Sequence, residues 1–378
     1  MNKVRIGIIG LGFIGCRHAV SLANNAIPGA ELTAVYDRNQ DKEQWVKENL
    51  GENVKLFTDE EQFFNSNMID GVIIATPHPF HTEIAIQAFK HDLHVLVEKP
   101  AGVYTKEVRL MNEAAVASGK VFSMMFNQRL NPLFIKLREL ISSGELGEIT
   151  RTTWIITNWF RAQSYYDSAG WRATWAGEGG GVLINQDPHQ LDLWQWVIGM
   201  MPKRVRAFCK FGKYHNIEVE DDVTAYVEYE NGATGLFVTS TGEAPGTNRL
   251  EINGDLGKIV VEDGKITLWR LSVPASEFSK TFKGNSFDQP EIRKIDIPVE
   301  GDTDAHNWDG IITNWVDAIA NGTELIASGE EGIKSLMLSN SMLLSTWTDN
   351  WVNLPIDEDL FHEHLQKQIN NSKTQINV

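Results

Sequence analysis

The sequence of 378 residues is poor in cysteine, and this excludes two kinds of stabilising site. Its two cysteines, Cys16 and Cys209, offer neither a disulfide framework nor a zinc site built from thiolates. This composition fits a reducing, cytoplasmic compartment, and we expect no bound metal ion.

Long apolar runs and an excess of basic residues are also missing. No run approaches the roughly 20 apolar residues that a membrane-spanning helix requires, so we expect a protein that does not cross a membrane. The chain has 50 Asp and Glu against 34 Lys and Arg, which gives a formal net charge of −16. Because this charge has the wrong sign for a phosphate backbone or an anionic lipid surface, nucleic acid is not an expected partner.

The length of the chain suffices for two domains, and the first third alternates short β-branched strands with amphipathic helices. Continuous apolar triplets such as Val72-Ile73-Ile74 and Val95-Leu96-Val97 are typical of strands covered on both faces. We therefore predict that residues 1–126 form a doubly wound α/β domain of the Rossmann type. The predicted strands are Val4–Ile9, Leu32–Tyr36, Lys55–Phe57, Gly71–Ala75, His94–Val97 and Val121–Phe126.

The pattern changes at Asn127, and residues 127–378 are predicted to form an α+β domain with a large, mostly antiparallel open sheet. Turns at Asn231-Gly232, Asn253-Gly254 and Asp263-Gly264 join consecutive predicted strands, as in antiparallel sheets. A continuous helix is predicted from Val182 to Val197, and Ser272–Ala305 is predicted to be a loop or arm. Two helices, at about Trp308–Ala320 and Glu330–Trp347, are predicted to close the chain.

A glycine-rich segment indicates a dinucleotide site. Gly10-Leu11-Gly12-Phe13-Ile14-Gly15 matches G-x-G-x-x-G, follows a predicted strand and opens a predicted helix. Such a turn brings backbone N–H groups to a pyrophosphate, and Asp37, at the end of the second strand, stands where a carboxylate binds the adenosine ribose. Asp37 would repel a 2′-phosphate, which favours NAD. Arg38 leaves NADP possible, because its guanidinium could stack on adenine or pair with a phosphate.

Two further segments leave the carboxyl ends of parallel strands, where ligands bind in sheets of this kind. Thr76-Pro77-His78-Pro79-Phe80-His81 follows the fourth strand and Glu98-Lys99-Pro100 follows the fifth. A lysine held at this edge could donate a hydrogen bond to a substrate oxygen beside the nicotinamide, and we expect Lys99 to do so.

A third segment combines three glycines, a proline and a histidine inside a predicted helix. Asn185 and His189 lie four residues apart, so on a helix they share one face. Histidine accepts a proton from an alcohol near neutral pH, although a hydrogen-bonded core histidine is an alternative. A metal site formed by Asp187, His189 and Asp192 lacks a recognised ligand spacing.

Taken together, these motifs resemble the glucose-fructose oxidoreductase/inositol dehydrogenase (Gfo/Idh/MocA) family. The resemblance rests on the glycine motif, Thr76-Pro77-x-x-x-His81, Glu98-Lys99-Pro100, Asn127-x-Arg129, and Gly179-Gly180-Gly181 followed by His189 and Asp192. It implies NAD(P)-dependent oxidation or reduction of sugars or cyclitols, and a homodimer or homotetramer formed through the C-terminal sheet. By position, it makes Lys99 the catalytic lysine and His189 the catalytic histidine.

The sequence departs from the family pattern at two positions. The family frequently has Asp where this chain has Asn185, and Gly where it has Asp187. An amide cannot relay a proton as a carboxylate can, so either His189 acts as base unaided, or Asp187 substitutes, or turnover is slow. A non-catalytic NAD(P)-binding sugar sensor, like galactose-repressor-type relatives of the family, is the competing interpretation.

The predicted site residues fall into three groups. Lys99, His189 and Asn185 are the catalytic group, with Asn185 orienting the substrate. The substrate group rests on aromatic rings that stack on apolar sugar faces and on planar donors that bind hydroxyls; it contains Arg129, Tyr166, Trp171, Arg172, Trp175, Asn185, Asp187 and His189. The cofactor group contains Gly10, Gly12, Phe13, Ile14, Asp37, Arg38, Thr76, Pro77, His78, His81, Glu98, Lys99 and Asn127.

Overall fold

A computed structural model describes residues 3–303 and 306–372 of the chain. Its strands are β1 Val4–Ile9, β2 Ala30–Tyr36, β3 Lys55–Phe57, β4 Gly71–Ile74, β5 His94–Val97, β6 Phe122–Met124, β7 Ile149–Ile156, β8 Arg204–Phe211, β9 Glu220–Glu228, β10 Thr234–Ser240, β11 Asn248–Gly254, β12 Gly257–Glu262, β13 Lys265–Leu271, β14 Ile292–Ile297 and β15 Val352–Asn353. Its helices are α1 Phe13–Ala23, α2 Lys42–Leu50, α3 Glu60–Phe64, α4 His81–Lys90, α5 Thr105–Ser118, α6 Pro132–Ser142, α7 Gln163–Tyr166, α8 Val182–Asn185, α9 Pro188–Ile198, α10 Ala275–Thr281, α11 Trp308–Asn321, α12 Gly332–Thr348 and α13 Glu358–Asn371.

The chain divides into two compact units. Of the described residues, the first unit contains those within 1–130 and 306–336, and the second contains those within 131–305 and 337–378. Residues 306–336 were expected in the C-terminal domain but belong to the first unit. The reason is visible at Trp315, which is fully buried, and whose ring would lie 2.9 Å from a Cβ placed on Gly71. Met124 likewise donates its backbone N–H to the carbonyl of Ala327, at 3.0 Å.

The sheet of the first unit confirms the predicted doubly wound α/β fold. Within the described residues it has six parallel strands in the order β3-β2-β1-β4-β5-β6. The side chains of β4 and β5 that were predicted to be covered on both faces are fully buried. The strand order reverses between β1 and β4, and such a reversal opens a crevice at the carboxyl ends of the strands where dinucleotides bind.

The sheet of the second unit confirms a large, mostly antiparallel sheet. Its described strands have the order β14-β13-β12-β11-β7-β10-β9-β8-β15, and β7 and β10 are the parallel pair among these neighbours. One face is buried under α9, where Trp194 stacks on Phe237 and its Nε1 donates to Thr152 Oγ1 at 3.0 Å. The other face carries partly exposed apolar side chains, including Phe208 and Tyr226.

Several elements differ from the sequence prediction. The predicted arm Ser272–Ala305, whose residues 304 and 305 lie outside the described part, contains α10 and the edge strand β14, which pairs with β13. The predicted helix Val182–Val197 is two helices, because Pro188 begins α9 and cannot continue α8. Helix α13 was not predicted; it begins after its N-cap Asp357 and buries Phe361 and Leu365.

Candidate active site

The turn between β1 and α1 has the backbone that a dinucleotide requires. Gly10 has φ of +91°, and a Cβ there would come within 2.8 Å of the carbonyl oxygen of Ala75. A Cβ on Gly15 would lie 1.9 Å from the carbonyl oxygen of Gly10. At Gly12, by contrast, no described atom lies within 4 Å of the Cβ position. The turn is therefore tightly packed beneath and open above, at the start of an 11-residue helix whose N–H groups favour an anion.

Asp37 is fixed beside this turn. Its Oδ2 accepts a hydrogen bond from the backbone N–H of Leu11 at 2.7 Å, and its Oδ1 accepts one from Asn39 at 2.9 Å. Each carboxylate oxygen has a second lone pair, so the group can still accept hydrogen bonds from ribose hydroxyls. The neighbouring Arg38 is exposed, and its guanidinium lies 5.6 Å from the centre of the Phe80 ring.

Asn127 and Thr76 have buried polar atoms that a ligand could satisfy. Asn127 is 1% exposed, and neither its Nδ2 nor its Oδ1 has a hydrogen-bond partner among the described residues. Thr76 Oγ1 is also buried and has no hydrogen-bond partner among the described residues. A buried amide without partners is unfavourable, so an amide or hydroxyl group supplied by a ligand would stabilise it. Together with the glycine turn and Asp37, these atoms fit a dinucleotide.

Both ring nitrogens of His81, which was predicted to bind the cofactor, contact the protein backbone. It is buried, with Nδ1 at 2.8 Å from the carbonyl oxygen of Pro100 and Nε2 at 2.8 Å from that of Thr76. Burial lowers its pKa, although the two carbonyls act in the opposite direction. Because both ring nitrogens face protein carbonyls, His81 connects the loops that follow β4 and β5. His78 lies in the turn before α4, with its ring 6.0 Å from that of His81.

Glu98 and Lys99 stand at the carboxyl end of β5. Glu98 is 5% exposed, and its Oε1 lies 2.7 Å from Nε2 of the fully buried His18. Its Oε2 accepts a hydrogen bond from the backbone N–H of Lys99, at 3.2 Å. The contact between His18 and Glu98 was missed in the sequence, because the two residues lie 80 positions apart.

In the second unit, the segment from Gly177 to Gln195 is buried except at two positions. Those positions are Asn185 and His189, which are both partly exposed. They lie at the end of α8 and in the first turn of α9. Asp187, which the sequence offered as a replacement proton relay, is fully buried at this break.

Glu178, which was not predicted from the sequence, organises the polar groups around Asn185. Its carboxylate is buried and accepts hydrogen bonds from Asn185 Nδ2 and, at 2.5 Å, from the backbone N–H of Ala173. Arg172 Nη1 lies 3.7 Å from the same carboxylate. An acidic residue inside the glycine run 177–181 was the available signal, because a buried carboxylate requires donors nearby.

Trp171 and Arg172 remain available to a ligand. The guanidinium of Arg172 lies 4.4 Å from the centre of the Tyr165 ring and 4.8 Å from that of Trp171. Its Nη1 donates to the Tyr165 hydroxyl at 2.8 Å. Both Trp171 and Arg172 are partly exposed, as a substrate-binding role requires.

Three other predicted substrate residues are engaged in packing. Trp175 is 4% exposed, lies against Phe211 and Trp347, and donates from Nε1 to the carbonyl of Glu218. Tyr166 donates its hydroxyl to Thr241 Oγ1 at 2.9 Å, and burial raises its pKa to about 12. Arg129, in the first unit, is 1% exposed and pairs with Glu331. We therefore do not assign substrate binding to Trp175, Tyr166 or Arg129.

Glu220 anchors the start of α8. Its Oε1 accepts hydrogen bonds from the backbone N–H groups of Gly181 and Leu183, at 2.8 and 3.1 Å. The carboxyl is fully buried, and burial raises its pKa from the usual 4.5 to about 7. The folded protein therefore keeps this proton up to about pH 7, whereas the unfolded chain releases it near pH 4.5.

This difference predicts a pH dependence of stability that Glu220→Gln removes. The contribution of Glu220 is fully present below about pH 4.5 and is lost as the pH rises through about 7, a change on the order of 3 kcal/mol. Urea unfolding between pH 4.5 and 8 should therefore show a smaller decrease in stability for Glu220→Gln than for the wild type. The exposed Glu230→Gln is the control. Identical pH profiles of stability for Glu220→Gln and the wild type would contradict the raised pKa of the Glu220 carboxyl.

The fold and the glycine turn define a dinucleotide-binding protein, and comparison with known proteins identifies the class of oxidoreductase to which it belongs. Residues 4–126 match the family described as "Oxidoreductase family, NAD-binding Rossmann fold", and residues 134–260 match the GFO/IDH/MocA C-terminal domain. The chain therefore belongs to the GFO/IDH/MocA family of oxidoreductases, and its first unit carries the NAD-binding domain of that family.

Individual relatives are similar over most of the chain. The scyllo-inositol 2-dehydrogenase (NAD(+)) of Bacillus subtilis is 26% identical over 296 residues, which cover 76% of this chain and 80% of that protein. The D-glucoside 3-dehydrogenase of Escherichia coli is 30% identical over 256 residues, covering 63% of this chain and 70% of that protein. The fold is similar to that of the WlbA dehydrogenase from Bordetella pertussis, whose structure was solved with NADH and UDP-GlcNAcA. The TM-score is 0.79 at 24% sequence identity, and the match covers 94% of this chain and 100% of that chain. Within the described residues, no helix has both the length and the apolar character needed to cross a membrane.

Proposed function

We propose that the protein is an NAD-dependent dehydrogenase that acts on a secondary hydroxyl of a sugar, glycoside or cyclitol. The observation that carries the proposal is the partial exposure of Asn185 and His189 within a segment that is otherwise buried from Gly177 to Gln195. A base and an amide that remain accessible in such a segment suit a small polyol. The names of the inositol and glucoside dehydrogenases among its relatives support the same substrate class.

The geometry of the first unit supports the following cofactor-binding residues. Gly10, Gly12, Phe13 and Ile14 would hold the pyrophosphate through their backbone, and Asp37 would hold the adenosine ribose. The buried amide of Asn127 would hydrogen-bond to the nicotinamide end. When bound, NAD supplies a hydride acceptor, or in the reverse direction a donor, at its nicotinamide ring.

The chain itself supplies the proton chemistry and the orientation. His189 takes the proton of the hydroxyl group that is oxidised, because imidazole ionises near neutral pH. The ammonium group of Lys99 donates a hydrogen bond to that oxygen and stabilises the negative charge that develops on it. Asn185, held by Glu178, orients the substrate, while Trp171 and Arg172 contact its ring and hydroxyls. Since Asn185 is an amide, His189 acts as the base without a carboxylate at this position.

The experiment that tests this proposal is a substrate panel. Purified protein with NAD+ is mixed with myo-inositol, scyllo-inositol, glucose and methyl glucosides, and NADH formation is followed by absorbance. We expect NADH with at least one polyol and none without one. Tight binding of NAD together with no turnover on any of these compounds would favour the non-catalytic sensor instead.

The position of Asp37 predicts a preference for NAD over NADP. A 2′-phosphate would lie against this carboxylate, and juxtaposed like charges cost several kcal/mol, so we expect NADP to bind about 100-fold more weakly than NAD. Titration calorimetry on Asp37→Ser should show this ratio reduced at least tenfold, with Arg38→Gln as the neighbouring control. If NADP binds the wild type as tightly as NAD, this role of Asp37 is wrong.

We further propose a cytoplasmic homodimer or homotetramer formed through the open sheet face of the second unit. Phe208 is 54% and Tyr226 is 40% exposed there, and Tyr226 pairs in register with the partly exposed Leu236. Exposed apolar side chains on one face of a sheet are typical of a subunit contact. Light scattering should give a dimer or tetramer for the wild type and a smaller species for Tyr226→Glu; a wild-type monomer at micromolar concentration would contradict the contact.

A further inference from the structure

Two buried histidines lie on either side of the segment Glu98-Lys99-Pro100. His18, on α1, is 0% exposed and contacts the Glu98 carboxylate, while His81, on α4, is 1% exposed and contacts the Pro100 carbonyl. His81 connects the backbone carbonyl of Pro100 to that of Thr76. The pair of His18 and Glu98 is different, because it buries two ionisable side chains that the proposed chemistry does not use.

The Glu98 carboxylate completes the backbone hydrogen bonding where the chain leaves the sheet. The N–H of Glu98 still donates to the carbonyl of Ile74 on β4, at 2.9 Å. The next N–H, that of Lys99, donates to Oε2 of the Glu98 side chain instead. The direction in which the backbone carries Lys99 away from β5 therefore depends on the rotamer of Glu98.

His18 fixes that rotamer. Its Nε2 lies 2.7 Å from Oε1, so the carboxylate is held at one oxygen by α1 and at the other by the Lys99 backbone. An ionised carboxylate only accepts hydrogen bonds, so His18 donates from Nε2. Its Nδ1 has no hydrogen-bond partner among the described residues.

A purely structural contact between α1 and β5 has no need of such groups. Apolar side chains of similar size could pack α1 on β5 without the cost of removing a carboxylate from water. The pair also links two functional places, because α1 begins at the glycine turn and carries His18 in its second turn, while Glu98 precedes Lys99.

We propose that His18 and Glu98 are positioning residues for Lys99, which they orient from the helix that begins at the dinucleotide turn. This inference rests on the proposed function, because it assigns Lys99 its role in that reaction. Neither His18 nor Glu98 contacts substrate; both act through the backbone of Lys99.

The test compares Glu98→Ala, Glu98→Gln and His18→Gln with the exposed control Glu83→Gln on α4. Glutamine at position 98 keeps a carbonyl for the Lys99 N–H and an amide N–H that Nε2 of His18 can accept when the ring proton is on Nδ1, whereas alanine keeps neither. We expect Glu98→Ala to lower kcat about 50-fold while the KM for polyol and the Kd for NAD change less than threefold. Glu98→Gln should retain at least a fifth of the wild-type kcat, and Glu83→Gln should match the wild type.

A second readout does not depend on turnover. The rate at which acetic anhydride modifies Lys99, measured by mass spectrometry against the other lysines, reports the environment of its amine. Glu98→Ala should change this rate at least threefold, and Glu98→Gln should restore it. If Glu98→Ala does not fold, His18→Gln is measured in the same way and should change the rate at least twofold.

The outcomes separate the two proposals. If the wild type oxidises no polyol, the proposed function fails, and the labelling rates still decide whether His18 and Glu98 position Lys99. If the wild type is active but the folded variants keep both the kcat and the Lys99 labelling rate of the wild type, the positioning role is overturned. Equal losses of kcat in Glu98→Gln and Glu98→Ala would also overturn it. A side chain that keeps the hydrogen bonds would then serve Lys99 no better than one that lacks them.

Discussion

Replacing His189 by Ala should lower kcat/KM about 1,000-fold, because the proposed reaction then has no base for the hydroxyl proton. General-base catalysis contributes roughly 10²- to 10⁴-fold, and Asn185, as an amide, cannot take over the proton. Asp187 cannot compensate by direct contact with substrate, since it is fully buried. The measurement is initial-rate kinetics with the best polyol from the panel.

The pH profile separates a base from a packing residue. In the wild type, kcat/KM should rise with pH as the histidine loses its proton and then level off. For His189→Ala this rise should be replaced by a first-order dependence on hydroxide. Asn185→Ala is the neighbouring control: it should lower the rate but preserve the shape of the wild-type profile. A His189→Ala enzyme with wild-type rates would remove this residue from the mechanism.

Replacing Arg129 by Met should destabilise the first unit by about 3 kcal/mol, because a buried ion pair loses one partner. Arg129 is 1% exposed and donates to the Ile326 carbonyl and to Glu331, which is itself half-buried. Burial alone would raise the pKa of Glu331, but Arg129 and Lys334 outweigh it and hold that pKa below its usual value. This stabilisation is therefore present above the usual carboxyl pKa and is lost as the pH falls through the lowered one.

Calorimetry provides the measurement for Arg129. We expect Arg129→Met to lower the melting temperature of the transition that includes the first unit by roughly 6 to 12 °C at neutral pH, and by less at pH 4. The control is Arg109→Met, whose exposed partner is Glu113, and a surface pair of this kind is worth less than about 1 kcal/mol. An unchanged melting temperature in Arg129→Met, together with a raised KM for polyol, would return Arg129 to the substrate-binding group.

The first unit could be predicted from the sequence because its signals are local. A buried parallel strand reads as a continuous apolar run, and the glycine turn is encoded by residues whose backbone or packing tolerates no side chain, such as Gly10 and Gly15. The edge strand β14 gave no such signal, since its exposed and partly exposed residues do not alternate with an apolar core face.

The site was harder to predict, because side-chain partners far apart in the sequence decide it. Trp171 and Trp175 lie four residues apart in one polar segment, yet one is partly exposed and the other packs against Phe211 and Trp347. Composition cannot separate an aromatic ring that binds sugar from one that fills a core. Glu178 and His18 were missed for the same reason, because their importance comes only from the groups that they contact.

The central claim is that a hydride passes between a secondary carbon of a polyol and NAD on this protein. The most direct measurement uses a polyol from the panel that carries deuterium on its carbinol carbons, incubated with NAD+ and the protein, followed by mass spectrometry of the nucleotide. The account predicts reduced nucleotide that carries one deuterium, formed at a much lower rate by Lys99→Ala and His189→Ala. Bound NAD that acquires no deuterium from any polyol would contradict it.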